Sequence, residues 1–121
     1  MAKKILVIDD EELIIKSLSK LLGKNGFEVF VAKNGQDALV IADEENIDLI
    51  IADIRMPGIN GVDTVSAILV KDDFKDTPVI FITGYADEEI KKRAGELKPV
   101  AYIYKPFDIS ELVEKVKKTL G

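Results

Sequence analysis

Two adjacent acids, Asp9 and Asp10, follow the apolar run Ile5–Ile8, and a third, Asp53, follows Leu49–Ala52. Three carboxylates placed at the ends of apolar runs suggest a shared metal site. Alone they are unstable together: two bare carboxylates about 4 Å apart repel by roughly 4 kcal/mol at an effective dielectric of 20, and a hard divalent cation removes that penalty. Two further apolar runs finish in polar groups of other kinds. Thr83 ends Val79–Ile82 and Lys105 ends Ala101–Tyr104. Four apolar runs therefore finish in a polar group.

The rest of the composition narrows the chemistry. There is no cysteine and no histidine, which removes disulfides, thiolate and imidazole metal sites, the serine–histidine triad, and a histidine that carries phosphate itself. Any metal must be bound by oxygen, favouring magnesium or calcium. A net charge of −5 argues against direct nucleic-acid binding, whose proteins usually show a basic footprint. No run of eighteen apolar residues and no signal-peptide core occurs, so the expectation is a cytoplasmic protein with no membrane association. At 121 residues, with 47% hydrophobic and 32% charged residues, a single folded domain is expected over 1–121.

The elements that must position these groups are legible as a repeated unit. Strand-length runs recur at Lys4–Ile8, Glu28–Ala32, Leu49–Ala52, Val79–Thr83 and Ala101–Tyr104. Segments of helical period separate them. Continuous Val/Ile/Leu runs indicate strands covered on both faces, so five βα units imply an α/β fold with a doubly wound parallel sheet. The first helix is expected to bury Leu13, Ile14, Leu18, Leu21 and Leu22 and to stop near Gly23. The last is expected to start at a capping Asp108 and to bury Leu112, Val113, Val116 and Leu120. Between them, 34–45 and 61–70 read as helices, as does 87–95. In a parallel sheet the carboxyl ends of all strands share one edge, where ligands bind. Asp9, Asp10, Asp53, Thr83 and Lys105 should meet there.

With these residues in order, the chain resembles the receiver domain of two-component response regulators over essentially its whole length. The resemblance rests on Asp9-Asp10, on Asp53 within Asp53-Ile54-Arg55-Met56-Pro57-Gly58, and on Gly61, Thr83-Gly84 and Tyr102 with Lys105-Pro106-Phe107. Separations of 30 residues from Asp53 to Thr83 and 22 from Thr83 to Lys105 are usual in that family. Taken singly, the acidic pair reads as a helix cap, Asp53 and Thr83 as turn residues, Lys105 as a surface charge and Tyr102 as core. Their joint occurrence at strand ends is what departs from those readings.

The resemblance implies a flavodoxin-like five-stranded sheet of order 2-1-3-4-5, as in chemotaxis-type receivers. It implies that Asp53 is the nucleophile that accepts a phosphoryl group, as carboxylates can. Magnesium would be held by Asp10, Asp53 and the backbone carbonyl of Arg55, with Asp9 reaching it through water. Lys105 and Thr83 would bind phosphoryl oxygens. Thr83 and Tyr102 would form the conformational switch, altering the surface made by the fourth helix, fifth strand and fifth helix. A cis Lys105–Pro106 peptide belongs to the same pattern, and Met56-Pro57-Gly58 suggests a fixed turn with Gly58 or Gly61 at positive φ. Implied partners are a sensor histidine kinase or histidine phosphotransfer protein and a downstream protein or effector domain. The chain would catalyse only its own phosphorylation and dephosphorylation, and so would not be an enzyme acting on an external substrate.

Some positions depart from the pattern. Lys98-Pro99 stands where receivers commonly have Gly-Ala, and Gly84 where alanine is usual. Arg55 and Tyr85, two positions beyond Asp53 and Thr83, are expected to overhang the acyl phosphate and lengthen its lifetime. Two rival readings fit the sequence less well. A magnesium-dependent phosphohydrolase with an aspartyl nucleophile would normally carry a second carboxylate at the position of Arg55. A flavodoxin-like nucleotide binder would show G-x-G-x-x-G or G-x-x-x-x-G-K-[ST], and neither occurs.

Overall fold

A computed structural model describes residues 2–55, 60–84 and 88–121. Five strands, β1 (Lys4–Ile8), β2 (Glu28–Ala32), β3 (Leu49–Asp53), β4 (Val79–Thr83) and β5 (Ala101–Tyr104), alternate with helices α1 (Glu12–Lys24), α2 (Gly35–Glu44), α3 (Gly61–Leu69), α4 (Glu88–Glu96) and α5 (Ile109–Leu120). All neighbouring strands pair parallel, in the order β2-β1-β3-β4-β5. The expected strands are found, with β3 carried one residue further so that Asp53 is its last member.

Burial on two faces explains why the strands are apolar at successive residues instead of alternate ones. Successive side chains point to opposite faces. Leu6, Ile8, Ile50, Ala52 and Phe81 accordingly enter one core, beneath α2, α3 and α4. Ile5, Val7, Leu49, Ile51, Ile80 and Ile82 enter the other, beneath α1 and α5. Each fully buried Ile or Leu contributes on the order of 2 kcal/mol of apolar transfer, so the central strands β1, β3 and β4 dominate the stability and form the rigid base for their loops.

Local signals set the helix boundaries. Asn34 and Asn60 cap α2 and α3, each side-chain oxygen accepting from the backbone N–H three residues on, at 2.8 and 2.9 Å. Asp108 caps α5, accepting from the Ser110 N–H at 2.8 Å. Helix α1 ends two residues before Gly26, whose φ of +88° suits glycine. One expectation for α1 is corrected: Leu13 is 78% exposed, and Ile15 joins Leu18 and Leu22 in the core. The rest of the predicted stripe holds, with Ile14 and Leu21 partly buried against the same core; α1 meets the sheet along 15, 18 and 22, which leaves Leu13 on the solvent side. A short 3-10 turn, Asp72–Phe74, is additional to the sequence reading and buries Phe74 against the α3 side.

Candidate functional site

The site lies at the carboxyl edge of the sheet, assembled from the ends of four strands. Asp9 follows β1 and is completely buried, Asp53 ends β3 at 3% exposure, and Thr83 ends β4 with none. Asp10 is exposed. Carboxylate oxygens of Asp9, Asp10 and Asp53 all lie within 4.8 Å of one another. Such a spacing lets one oxygen-bound cation bridge all three. The Asp9 Oδ2 atom is buried and makes no hydrogen bond, with the Lys105 ammonium 3.4 Å away as an ion-pair partner, so a bound cation would give it a direct ligand contact it lacks. The donor set, all oxygen, fits a hard divalent ion.

Lys105 is brought to this cluster by the turn after β5. Its backbone N–H donates to the Thr83 carbonyl at 2.7 Å, and the Lys105–Pro106 peptide is cis, as expected. The ammonium donates to Asp53 Oδ2 at 2.9 Å and lies 3.4 Å from Asp9 Oδ2. The other Asp53 oxygen accepts from the Arg55 N–H at 3.1 Å. Asp53 is thus held at both oxygens while keeping one edge toward Asp9 and Asp10.

Burial sets the titration of the group. Desolvation pushes the Asp9 carboxyl up to about 6, against the Glu11 N–H and the Lys105 charge, which favour the ionised form. Asp53 is likewise raised, desolvation outweighing its hydrogen bond and attraction to Lys105. The Lys105 ammonium is raised well above its ordinary value: burial opposes this, and Glu11, Asp53 and Asp9 together overcome it. A buried excess of negative charge with a single lysine among it is poised for a cation.

Gly61 has a role different from the one its residue type suggested. Among the described residues the positive-φ glycines are Gly26 and Gly121, so Gly61 is not needed for a left-handed backbone. Instead, its N–H donates to the Ile54 carbonyl at 2.9 Å, and a Cβ at this position would stand 1.9 Å from the Asp53 carbonyl oxygen. The start of α3 abuts the nucleophile's own backbone. Gly84 has room by comparison: a Cβ there would meet the Lys105 side chain at 3.8 Å.

Tyr102 packs, half-buried, against the α4 side of the core, with its hydroxyl buried and unpartnered. Its ring lies 5.2 Å from that of Tyr104, and the Lys91 ammonium sits over both rings, at 5.8 and 5.1 Å. The Arg55 side chain is exposed. Tyr85 and Met56-Pro57-Gly58 lie outside the described residues, as does Asp87, the expected start of α4. The sequence reading missed Glu11, whose carboxylate also pairs with the Lys105 ammonium. Its signal was its place: it directly follows the acidic pair, at the N-cap of α1, a position that glutamate serves poorly.

A doubly wound parallel sheet with an acidic pocket and a lysine at its carboxyl edge defines a class of metal-assisted phosphoryl acceptors built on the flavodoxin-like fold. The chain belongs to the response regulator receiver domain family, which it matches over residues 5–117. It is 35% identical over 120 residues to sporulation initiation phosphotransferase F of Bacillus subtilis, covering 99% of this chain and 95% of that protein. It is 37% identical over 119 residues to the transcriptional regulatory protein CrdR of Helicobacter pylori, covering 98% of this chain but 55% of the length of that relative. Among solved structures, a CheY-like receiver domain protein from Methanospirillum hungatei superposes with a TM-score of 0.91 at 29% identity, covering 99% of this chain and 94% of that one. The protein is a phosphoacceptor switch of two-component signalling. No described helix is long and apolar enough to cross a membrane.

Proposed function

We propose that residues 1–121 act as one receiver unit in which Asp53 is the phosphoryl acceptor. The observation that carries this is the Asp53–Lys105 bond of 2.9 Å inside a group of three carboxylates whose oxygens lie within 4.8 Å. The donor would be a phosphohistidine on a sensor histidine kinase or a histidine phosphotransfer protein. An Asp53 oxygen attacks phosphorus, the new P–O bond forms as the P–N bond breaks, and the imidazole leaves with the electron pair and takes up a proton.

Asp10, Asp53 and the Arg55 backbone carbonyl would hold magnesium directly, and Asp9 through water. When bound, magnesium supplies a Lewis acid that offsets the charge on a phosphoryl oxygen. Lys105 gives a compact positive charge to a second oxygen. Thr83, fully buried at the end of β4, offers its hydroxyl to a third. Movement of Thr83 toward the phosphoryl group opens space for the Tyr102 ring, whose buried hydroxyl is unpartnered where it stands. The α4, β5 and α5 surface then changes as a unit and controls binding of a downstream protein or effector domain. A near-complete shift of state needs a preference on the order of 5 kcal/mol, within reach of several charge-assisted hydrogen bonds.

This reading places the chain in the cytoplasm, acting on no external metabolite and contacting no nucleic acid directly. Its test is incubation with acetyl phosphate and magnesium followed by intact-mass measurement. One added phosphate is expected on the wild type and none on Asp53→Ala; a phosphate retained by the variant refutes the assignment. Arg55, whose side chain is exposed beside the site, and Tyr85 would shield the acyl phosphate from in-line water. Phosphate release from Arg55→Asn should be several-fold faster than from the wild type, and an equal or slower rate removes that role.

A further inference from the structure

Glu11 is the residue of the pocket's rim that the phosphoacceptor chemistry leaves unused. It stands at the N-cap of α1, yet its side chain makes no cap hydrogen bond. Its backbone N–H donates to Asp9 Oδ1 at 2.8 Å, which fixes the main chain against the acidic pocket. The freed side chain reaches across to the Lys105 ammonium, the shortest of the three contacts that lysine makes with carboxylates. The two partners differ in environment: the Lys105 side chain is 13% exposed and that of Glu11 55%. Both line an open groove of about 400 Å³, together with Ile14, Pro106, Phe107 and Ile109.

We propose that Glu11 is a positioning residue for phosphoryl transfer: its carboxylate holds the Lys105 ammonium in the resting protein and yields it to the incoming phosphoryl oxygen. The inference rests on the reading of Asp53 as acceptor and Lys105 as its phosphoryl-binding cation. Lys105 in the resting state is divided between Asp53 on the inner side and Glu11 on the solvent side. A phosphoryl group arriving on Asp53 brings new anionic oxygens to the inner side, and the lysine must serve them. The outer carboxylate competes for the same ammonium and also adds a negative charge on the route of an anionic donor. Because Glu11 is more than half exposed, its hold is weak enough to be given up, as for other solvated ion pairs. It therefore slows acceptance without blocking it, and keeps the lysine ordered while the site is empty of phosphate.

The experiment compares Asp53 phosphorylation by acetyl phosphate with magnesium in the full chain, in Glu11→Gln, in Lys105→Met and in the double variant, each followed by intact mass. Glutamine keeps the length and shape of the side chain and removes the charge. The expected result is a rate about threefold higher for Glu11→Gln, with a gain that shrinks as salt is added because the half-exposed pair is screened. The gain should vanish in the Lys105→Met background, since without the ammonium there is nothing to release. An unchanged or lower rate in Glu11→Gln overturns the proposal. So does an equal gain with Lys105→Met, which would make Glu11 a source of bulk repulsion and not a positioning residue. A wild type that takes up no phosphate at Asp53 refutes the acceptor assignment itself, an outcome distinct from either of these.

Discussion

Both edges of the sheet carry clustered carboxylates, and they behave differently. At the amino edge, Asp72, Asp73 and Asp76 are exposed around a shallow hollow with Asp48, Thr77 and Pro78. Asp48 is engaged locally, accepting the Lys4 N–H at 2.7 Å. At the carboxyl edge, Asp9 and Asp53 are buried, and with Asp10 they form the only group of three acids within bridging distance among the described residues. The number of acids is similar, and the chemistry is not. Asp72, Asp73 and Asp76 at the amino edge are solvated separately, whereas the strand ends at the carboxyl edge bring Asp9 and Asp53 together where water is excluded. Convergence under burial, with Lys105 as the counter-charge, is what makes a reactive pocket out of ordinary aspartates.

Gly61→Ala attacks the carboxyl edge most severely. Its new methyl would collide with the Asp53 carbonyl oxygen, which is backbone and cannot swing aside. Urea unfolding should show a loss of about 3 kcal/mol or more, and a stability close to wild type would mean that α3 is not held against β3 as described.

The stored electrostatic tension of the same edge should appear as a pH dependence. Asp9 has a folded-state value near 6 against an ordinary 3.8, so the folded protein binds its proton more tightly than the unfolded chain does. That contribution is fully present below 3.8 and is lost as pH rises through 6. In EDTA, lowering pH from 7 to 5 should therefore stabilise the wild type through this group by about 1 kcal/mol. Asp9→Asn keeps the acceptor for the Glu11 N–H and removes the charge, so it should be more stable than wild type at pH 7 and lose most of the slope. An identical slope in both proteins would show that Asp9 is not the strained group.

The smallest effect belongs to the amino edge, on the approach to β5. Lys98 has φ of 54°, a conformation that costs a residue with a Cβ roughly 1–2 kcal/mol. Glycine relieves this but loses more chain entropy on folding. Lys98→Gly should gain about 0.5 kcal/mol in urea unfolding and leave phosphorylation of Asp53 unchanged. An altered phosphorylation rate would break the separation between the two edges.

How much of this was legible beforehand varied with the physics involved. Strands β1, β3 and β4 were plain because a strand covered on both faces must be apolar at every residue, and their burial is complete. The face of α1 was less so. Leu13, Ile14, Leu18, Leu21 and Leu22 all satisfy a helical stripe, and only the packing of the helix on the sheet shows that Ile15 goes in and Leu13 stays out. Gly61 was noticed for its type and understood only from the distance to Asp53. Glu11 was overlooked because a glutamate after two aspartates carries no period or motif of its own.

The linear order of residues determined by itself the βα alternation, the doubly wound class and the placing of Asp9, Asp10, Asp53, Thr83 and Lys105 at strand ends, since burial and strand direction follow from local patterns. Only the tertiary structure decided which of those acids are buried, how Lys105 is shared between Asp53, Asp9 and Glu11, and why α3 must begin with glycine. These depend on distances between segments remote in the chain, and desolvation and charge pairing act through space, not along the sequence.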